Sequence, residues 1–184
     1  NVTYNFAVSQ LDDDDAAKPV KVKGTAGTSD TVNALYTGAA PNAKADVSGI
    51  EALNITLADD DTKVVLDMTE AVGLTSTKFT STNGLESLMY DNMPAGLSVE
   101  VANILANDRL EIDLLDDSGS SDQQTVKLTA AGAANNDFNL AGDDIETWTI
   151  NVASANQPDL DVSGVTMTAA SATWSLKLLG ANDI

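Results

Sequence analysis

The residues of this chain that could do chemistry are carboxylates, and they come in bunches. Asp59-Asp60-Asp61 stands between two alternating apolar segments. Asp12-Asp13-Asp14-Asp15 forms a second run, Asp116-Asp117 with Asp122 a third, Asp143-Asp144 a fourth, and Asp30 stands alone at another turn. Neighbouring carboxylates repel, and a bound divalent cation relieves the repulsion. Calcium takes about six to eight oxygens at roughly 2.3–2.6 Å, which adjacent carboxylates, carbonyls and water on one bend can supply. These positions are the candidate Ca2+ ligands, with Asp59-Asp60-Asp61 first among them. No stretch has the Asp-x-Asp-x-Asp-Gly…Glu spacing of an EF-hand, so the affinity expected is that of extracellular modules, on the order of 0.1–1 mM.

Other chemistry lacks its reagents. The chain has no His and no Cys. That removes the commonest general base, the usual zinc and iron ligands, thiol nucleophiles and disulfides. Gly24–Gly27 is not followed by Gly-Lys-Ser/Thr and is no phosphate loop. No Gly-x-Ser-x-Gly occurs, and Glu51, Glu86 and Glu146 show no sign of the paired carboxylates a glycosidase needs. The chain is therefore expected not to be an enzyme. The formal charge is -19 against nine Lys plus Arg, which argues against nucleic acid and anionic membranes. No apolar run reaches the roughly 18 residues of a transmembrane segment.

The elements that must position these acids are strands. One phrase is written three times: Gly49-Ile50-Glu51-Ala52-Leu53-Asn54-Ile55, Gly84-Leu85-Glu86-Ser87-Leu88-Met89-Tyr90 and Asp144-Ile145-Glu146-Thr147-Trp148-Thr149-Ile150. Each reads as a turn feeding an alternating strand. A shorter echo, Asp46-Val47-Ser48-Gly49-Ile50, returns at Asp161-Val162-Ser163-Gly164-Val165. Of the 28 acidic residues only six are Glu, and Asp suits turns because its short side chain bonds nearby backbone. Alternation predicts strands at 2–8, 20–23, 53–57, 63–68, 77–80, 86–90, 97–101, 110–115, 124–129, 146–152, 160–162 and 173–179, with short helical pieces at 30–36 and 99–107.

The fold expected is all-β: a repetitive elongated domain, either a β-solenoid or roll, or a two-sheet β-sandwich. One domain spanning 1–184 is expected, with a soft boundary near 116–121. Its ends read as those of a processed chain or a piece of a longer one. Core positions expected are Ile50, Leu53, Ile55, Val65, Leu85, Leu88, Leu97, Val99, Ile112, Leu114, Val126, Leu128, Ile145, Trp148, Ile150 and Leu176. The three phrase glutamates are expected to face outward at strand starts, with a ligand role as the alternative.

The words Gly24-Thr25-Ala26-Gly27-Thr28-Ser29-Asp30-Thr31-Val32-Asn33 and Val47-Ser48-Gly49-Ile50-Glu51-Ala52-Leu53-Asn54-Ile55 resemble bacterial S-layer proteins of the Caulobacter type, calcium-dependent and related to RTX repeats. The resemblance implies a secreted, mostly β protein at the outer cell surface, assembled into a lattice with calcium. The segment departs from the RTX nonapeptide. It lacks the paired glycine, carries an extra residue before Asp30 and occurs once, so it is nearer to a lattice-forming region than to a calcium roll. The function expected is structural self-assembly, with copies of itself and possible cell-surface polysaccharide as partners. The alternatives are an adhesin or carbohydrate-binding module, and a filament subunit joined by strand exchange.

Overall fold

A computed structural model describes residues 1–8, 21–25, 27, 29–38, 42–58, 63–103, 105, 107–116, 118–119, 121–129, 137–142, 145–152, 159–161 and 175–180. In chain order the strands are β1 (Thr3–Ala7), β2 (Val22–Lys23), β3 (Thr31–Tyr36), β4 (Asn42–Lys44), β5 (Val47–Ser48), β6 (Ala52–Leu57) and β7 (Lys63–Asp67). They continue as β8 (Ala71–Val72), β9 (Ser76–Ser81), β10 (Ser87–Met93), β11 (Ser98–Ala102), β12 (Asp108–Leu114) and β13 (Gln123–Leu128). The last are β14 (Asp137–Gly142), β15 (Thr147–Val152), β16 (Asp159–Asp161) and β17 (Ser175–Gly180).

These strands form an eight-stranded sheet β1-β3-β6-β9-β11-β13-β15-β17, a six-stranded sheet β16-β14-β12-β10-β7-β4 and a three-stranded sheet β2-β5-β8. Every described pairing is parallel and joins a strand to its equivalent one coil away. That decides between the two architectures: the chain is a β-solenoid, because sandwich sheets are antiparallel. Coils β3-β4-β5 and β6-β7-β8 visit all three sheets in turn. Beyond β8 the described strands alternate between the two larger sheets. Both ladders run on past 116–121.

Inside, side chains stack in columns about 4.8 Å apart. Register aligns Val32, Leu53, Thr77, Val99, Val126 and Ile150, and beside them Ala34, Ile55, Phe79, Val101 and Leu128; all are buried. The facing sheet contributes Val64, Leu88, Leu110 and Leu140. Thr77 is the one hydroxyl among these buried residues. Its Oγ1 lies 3.0 Å from the Leu53 carbonyl oxygen and 2.7 Å from the Tyr90 hydroxyl, so the polar pair is satisfied across the two sheets. Burial pushes the Tyr90 phenol well up, and it stays neutral.

Two size matches shape the coils. At the end of β14, a Cβ on Gly142 would lie 2.6 Å from Trp148 Cζ2 and 2.9 Å from the Ile112 carbonyl oxygen; the glycine makes room for the indole. At the corner after the three-stranded sheet, Gly24, Gly49 and Gly73 follow aligned strands and stack. The Gly24 N–H donates to Ser48 O at 2.8 Å and the Gly49 N–H to Val72 O at 3.0 Å. A Cβ on Gly24 would overlap the Gly49 carbonyl oxygen, so no side chain fits at Gly24.

Several expectations are corrected. The helical pieces at 30–36 and 99–107 are absent among the described residues: 31–36 is β3 and 98–102 is β11. Strands β4, β5, β8 and β14 add to those expected. Val65 faces outward, because Val64 and Leu66 take the inward positions of β7. Leu85 is 49% exposed, since the turn at Gly84 runs one residue further and holds Leu85 at φ 60. The other described core positions are buried as expected; the side chain of Leu176 lies outside the described set.

Candidate functional site

Several acids sit at strand entries and hold one coil to the next. At the first residue before a strand, the backbone N–H reaches the edge of the ladder and needs an acceptor. The next coil supplies a carboxylate at the same register. The Val2 N–H donates to Asp30 Oδ1 at 2.7 Å, and the Asp30 N–H donates to Glu51 Oε2 at 2.7 Å. The Asp122 N–H donates to Glu146 Oε2 at 2.8 Å. In the six-stranded sheet the Glu86 N–H donates to Asp108 Oδ1 at 3.1 Å. Charged acceptors make these bonds stronger than neutral ones. None of the three phrase glutamates is the outward polar residue expected: Glu51 and Glu146 are inter-coil caps, and Glu86 is fully buried, with its own amide capped by the following coil.

Asp30 is the most heavily engaged. Besides Val2, it accepts from the Thr25 N–H at 2.6 Å and the Thr25 hydroxyl at 2.8 Å, both on Oδ2. The Thr25 amide, then the Val2 amide, then the Thr25 hydroxyl hold its carboxyl below the usual range. Asp108 is the opposite case. It is fully buried, and burial pushes its carboxyl up despite bonds from the Leu105 amide, the Ser81 hydroxyl and the Glu86 amide. Those partners stand at 2.7 Å (Leu105), 3.1 Å (Ser81) and 3.1 Å (Glu86), so Asp108 ties together β9, the entry of β10 and the loop before β12.

The outward rows of the eight-stranded sheet continue the same habit. Asn54 Nδ2 donates to Asn33 Oδ1 at 2.8 Å, and Asn33 Nδ2 to Asn5 Oδ1 at 2.9 Å. On the same row Lys78, Glu100 and Lys127 follow, with Glu100 3.2 Å from Lys78 and 3.7 Å from Lys127. Burial raises the Glu100 carboxyl, but the Lys78 and Thr129 bonds and the two ammonium charges outweigh it and lower it. Glu100 is the one acid among the described outward positions of this sheet, in a chain with 28.

The candidate calcium ligands fall into two groups. Asp12, Asp13, Asp14, Asp15, Asp59, Asp60, Asp61, Asp117, Asp143 and Asp144 lie outside the described residues. Asp30 and Asp122 occupy strand entries as above. Gly119 leaves space for the Asp122 carboxylate, since a Cβ there would lie 2.6 Å from its Oδ2. Asp116 closes a local turn, accepting the Ser118 hydroxyl at 2.7 Å and the Ser118 N–H at 3.2 Å, which lower its carboxyl. Among the described residues no group of three or more acids converges where a metal ion could sit. No helix among them is long and apolar enough to cross a membrane.

Sequence reading missed a further copy of the phrase. Gly73-Leu74-Thr75-Ser76-Thr77-Lys78-Phe79 holds the same register as Gly49–Ile55, with Thr75 in the place of Glu51. Thr75 reverses the bond: its hydroxyl donates to the Glu51 carbonyl at 3.0 Å. Reading the phrase for any coil-linking polar group, rather than for Glu, would have found it. Compared with known protein families, with characterised proteins and with solved structures, the chain matches none.

Proposed function

We propose that this chain is a structural segment of an extracellular surface array, an S-layer or a similar lattice, which works by assembly and not by turnover of a substrate. One observation carries the reading. Polar side chains tie the solenoid along its axis, coil to coil: Asp30 to Val2, Glu51 to Asp30, Asn54 through Asn33 to Asn5, Glu146 to Asp122. Such a rod resists extension and presents the same small polar side chains coil after coil. Calcium at the Asp-rich turns, Asp59-Asp60-Asp61 foremost, would offset the self-repulsion of a chain carrying -19.

The test is a calcium titration of the purified chain, reversed with EDTA, read by thermal melting and light scattering. A melting temperature that rises with calcium and falls with chelator is expected, and is smaller in Asp60→Asn. No calcium response in either readout removes the cation from the proposal.

A second reading, contact with a neutral cell-surface polysaccharide, is favoured by the outward face of the eight-stranded sheet. Its rows of Thr, Ser and Asn carry only Lys78, Glu100 and Lys127 as described charges. A glycan array without hits would remove it.

A further inference from the structure

The turn between β9 and β10 carries the one Asn-Gly pair of the chain, Asn83-Gly84. Glycine adds no side chain beside its own nitrogen, so that nitrogen reaches a preceding asparagine side chain more easily than any other residue's. The fold holds the two residues differently. Asn83 stands in solvent, whereas Gly84 is buried at φ 84 and Leu85 follows at φ 60. A left-handed leucine is uncommon, so the surrounding coil imposes this turn.

Behind the glycine stands a path for a proton. The Gly84 N–H donates to Ser81 Oγ at 3.4 Å, and the Ser81 hydroxyl donates to Asp108 Oδ1 at 3.1 Å. Ser81 and Asp108 are both buried. Asp108 is fixed from two further sides, by the Glu86 amide at 3.1 Å and the Leu105 amide at 2.7 Å. Burial makes its carboxylate a stronger base than an exposed one. Of the other titratable or charged side chains on the elements beside it, Glu86 is buried at the same register one coil earlier. Lys78 of β9, Asp91 of β10, and Arg109 and Glu111 of β12 take outward positions. The side chain of Asp137 in β14 lies outside the described set.

We propose that Asn83-Gly84 is a self-modification site, at which Ser81 and Asp108 draw the proton from the Gly84 amide while its nitrogen attacks the Asn83 side-chain carbonyl. The Gly84 proton passes to Ser81 Oγ as the Ser81 proton passes to Asp108. The Gly84 nitrogen forms a bond to Asn83 Cγ, and the Cγ–Nδ2 bond breaks. The released nitrogen leaves as ammonia with a proton from water, whose hydroxide takes back the proton held by Asp108. The product is a cyclic succinimide. Water then opens the ring at one of its two carbonyls and returns a proton to the Gly84 nitrogen. Position 83 becomes an aspartyl residue, or an isoaspartyl one whose main chain runs through Cβ. Either product adds a negative charge to the turn. The second also lengthens the backbone beside the Ser81 carbonyl, which Asn103 Nδ2 holds at 2.6 Å. The site concerns the ageing of the chain and stands independently of the array reading.

The test incubates the intact chain and follows position 83 by peptide mapping with mass spectrometry, with isoaspartyl methyltransferase labelling for the isomer. A peptide of residues 80–86 is the reference. The folded chain should deamidate faster than the peptide. Ser81→Ala and Asp108→Asn should each slow it about tenfold or more, within what a positioned base supplies. Asp108→Asn keeps an oxygen for the Ser81 and Glu86 donors but takes no proton, which separates a base from a strut. The pH profile is a readout that a structural role would not move. The peptide's rate climbs with hydroxide throughout, whereas that of the folded chain should level off once Asp108 is ionised. In Ser81→Ala the peptide's slope should return. If either variant melts early, the profile of the unaltered chain decides. A folded chain slower than the peptide, a folded variant as fast as the unaltered chain, or a profile with the peptide's slope overturns the proposal.

Discussion

The Glu51 carboxylate holds an amide 21 residues earlier in the chain. Glu51→Ala leaves the Asp30 N–H without its acceptor, at a cost of about 1–3 kcal/mol, while Glu51→Gln keeps an oxygen in place and should recover most of it. Urea denaturation of the two variants checks this; equal losses would mean that the charge, not the bond, matters. The repeated glutamate was legible as a pattern, but its role was not, because that role depends on a partner that only the coil register identifies. Titration supplies a second check. Asp30, Asp67, Glu100 and Asp116 bind protons more weakly in the folded chain than in the unfolded one. Each adds stability above the ordinary carboxylate range, near pH 4, which is lost as pH falls through the lowered folded value. Asp108 has the opposite sign. Its contribution is full below its ordinary value of about 3.9 and is lost as pH rises through the raised folded value. The melting temperature should therefore rise as pH falls from neutrality through the raised Asp108 value toward about 4, and rise less in Asp108→Asn. An identical slope in the variant would remove Asp108 as a cause.

At the scale of the element, glycines set which coils can stack. Gly24→Ala places a Cβ on the Gly49 carbonyl, backbone against backbone, whereas Gly27→Ala meets nothing within 4 Å. The first should melt well below the unaltered chain and the second close to it. Gly142→Ala presses on Trp148, and overpacking of that kind costs about 1–3 kcal/mol; a change in tryptophan emission together with a lower melting temperature is the expected signature. Most long strands were legible because apolar and polar residues alternate along them. β3 was not, since Ala34 and Leu35 adjoin in Thr31–Tyr36 and blur the alternation that Val32, Ala34 and Tyr36 in fact follow. β4, β5 and β8, two or three residues long, are too short to show any period and exist because neighbouring coils pair with them. Val65 was misplaced for a related reason: in Lys63-Val64-Val65-Leu66-Asp67 either phase buries a valine, and only the register of β10 selects one.

For the molecule as a whole, the choice between solenoid and sandwich could not be read from alternation, which both share; it lies in strand direction, and all described pairs are parallel. The irregular spacing of the echoes has a plain origin. Thr31, Ala52, Ser76 and Ser98 share one register position although the turns between them differ in length, so the chain repeats in space without repeating evenly in sequence. A rod carrying -19 should also gain stability with salt. Melting at low ionic strength and again at about 0.15 M, where the Debye length is about 8 Å, should show a rise, and a fall would mean that exposed ion pairs such as Lys78–Glu100 outweigh the general repulsion. The most direct test of a chain built to assemble is electron microscopy of the pure protein as concentration rises, with calcium and in EDTA. Ordered assemblies of many copies are the predicted result; single particles at every concentration, with calcium and without it, would contradict it.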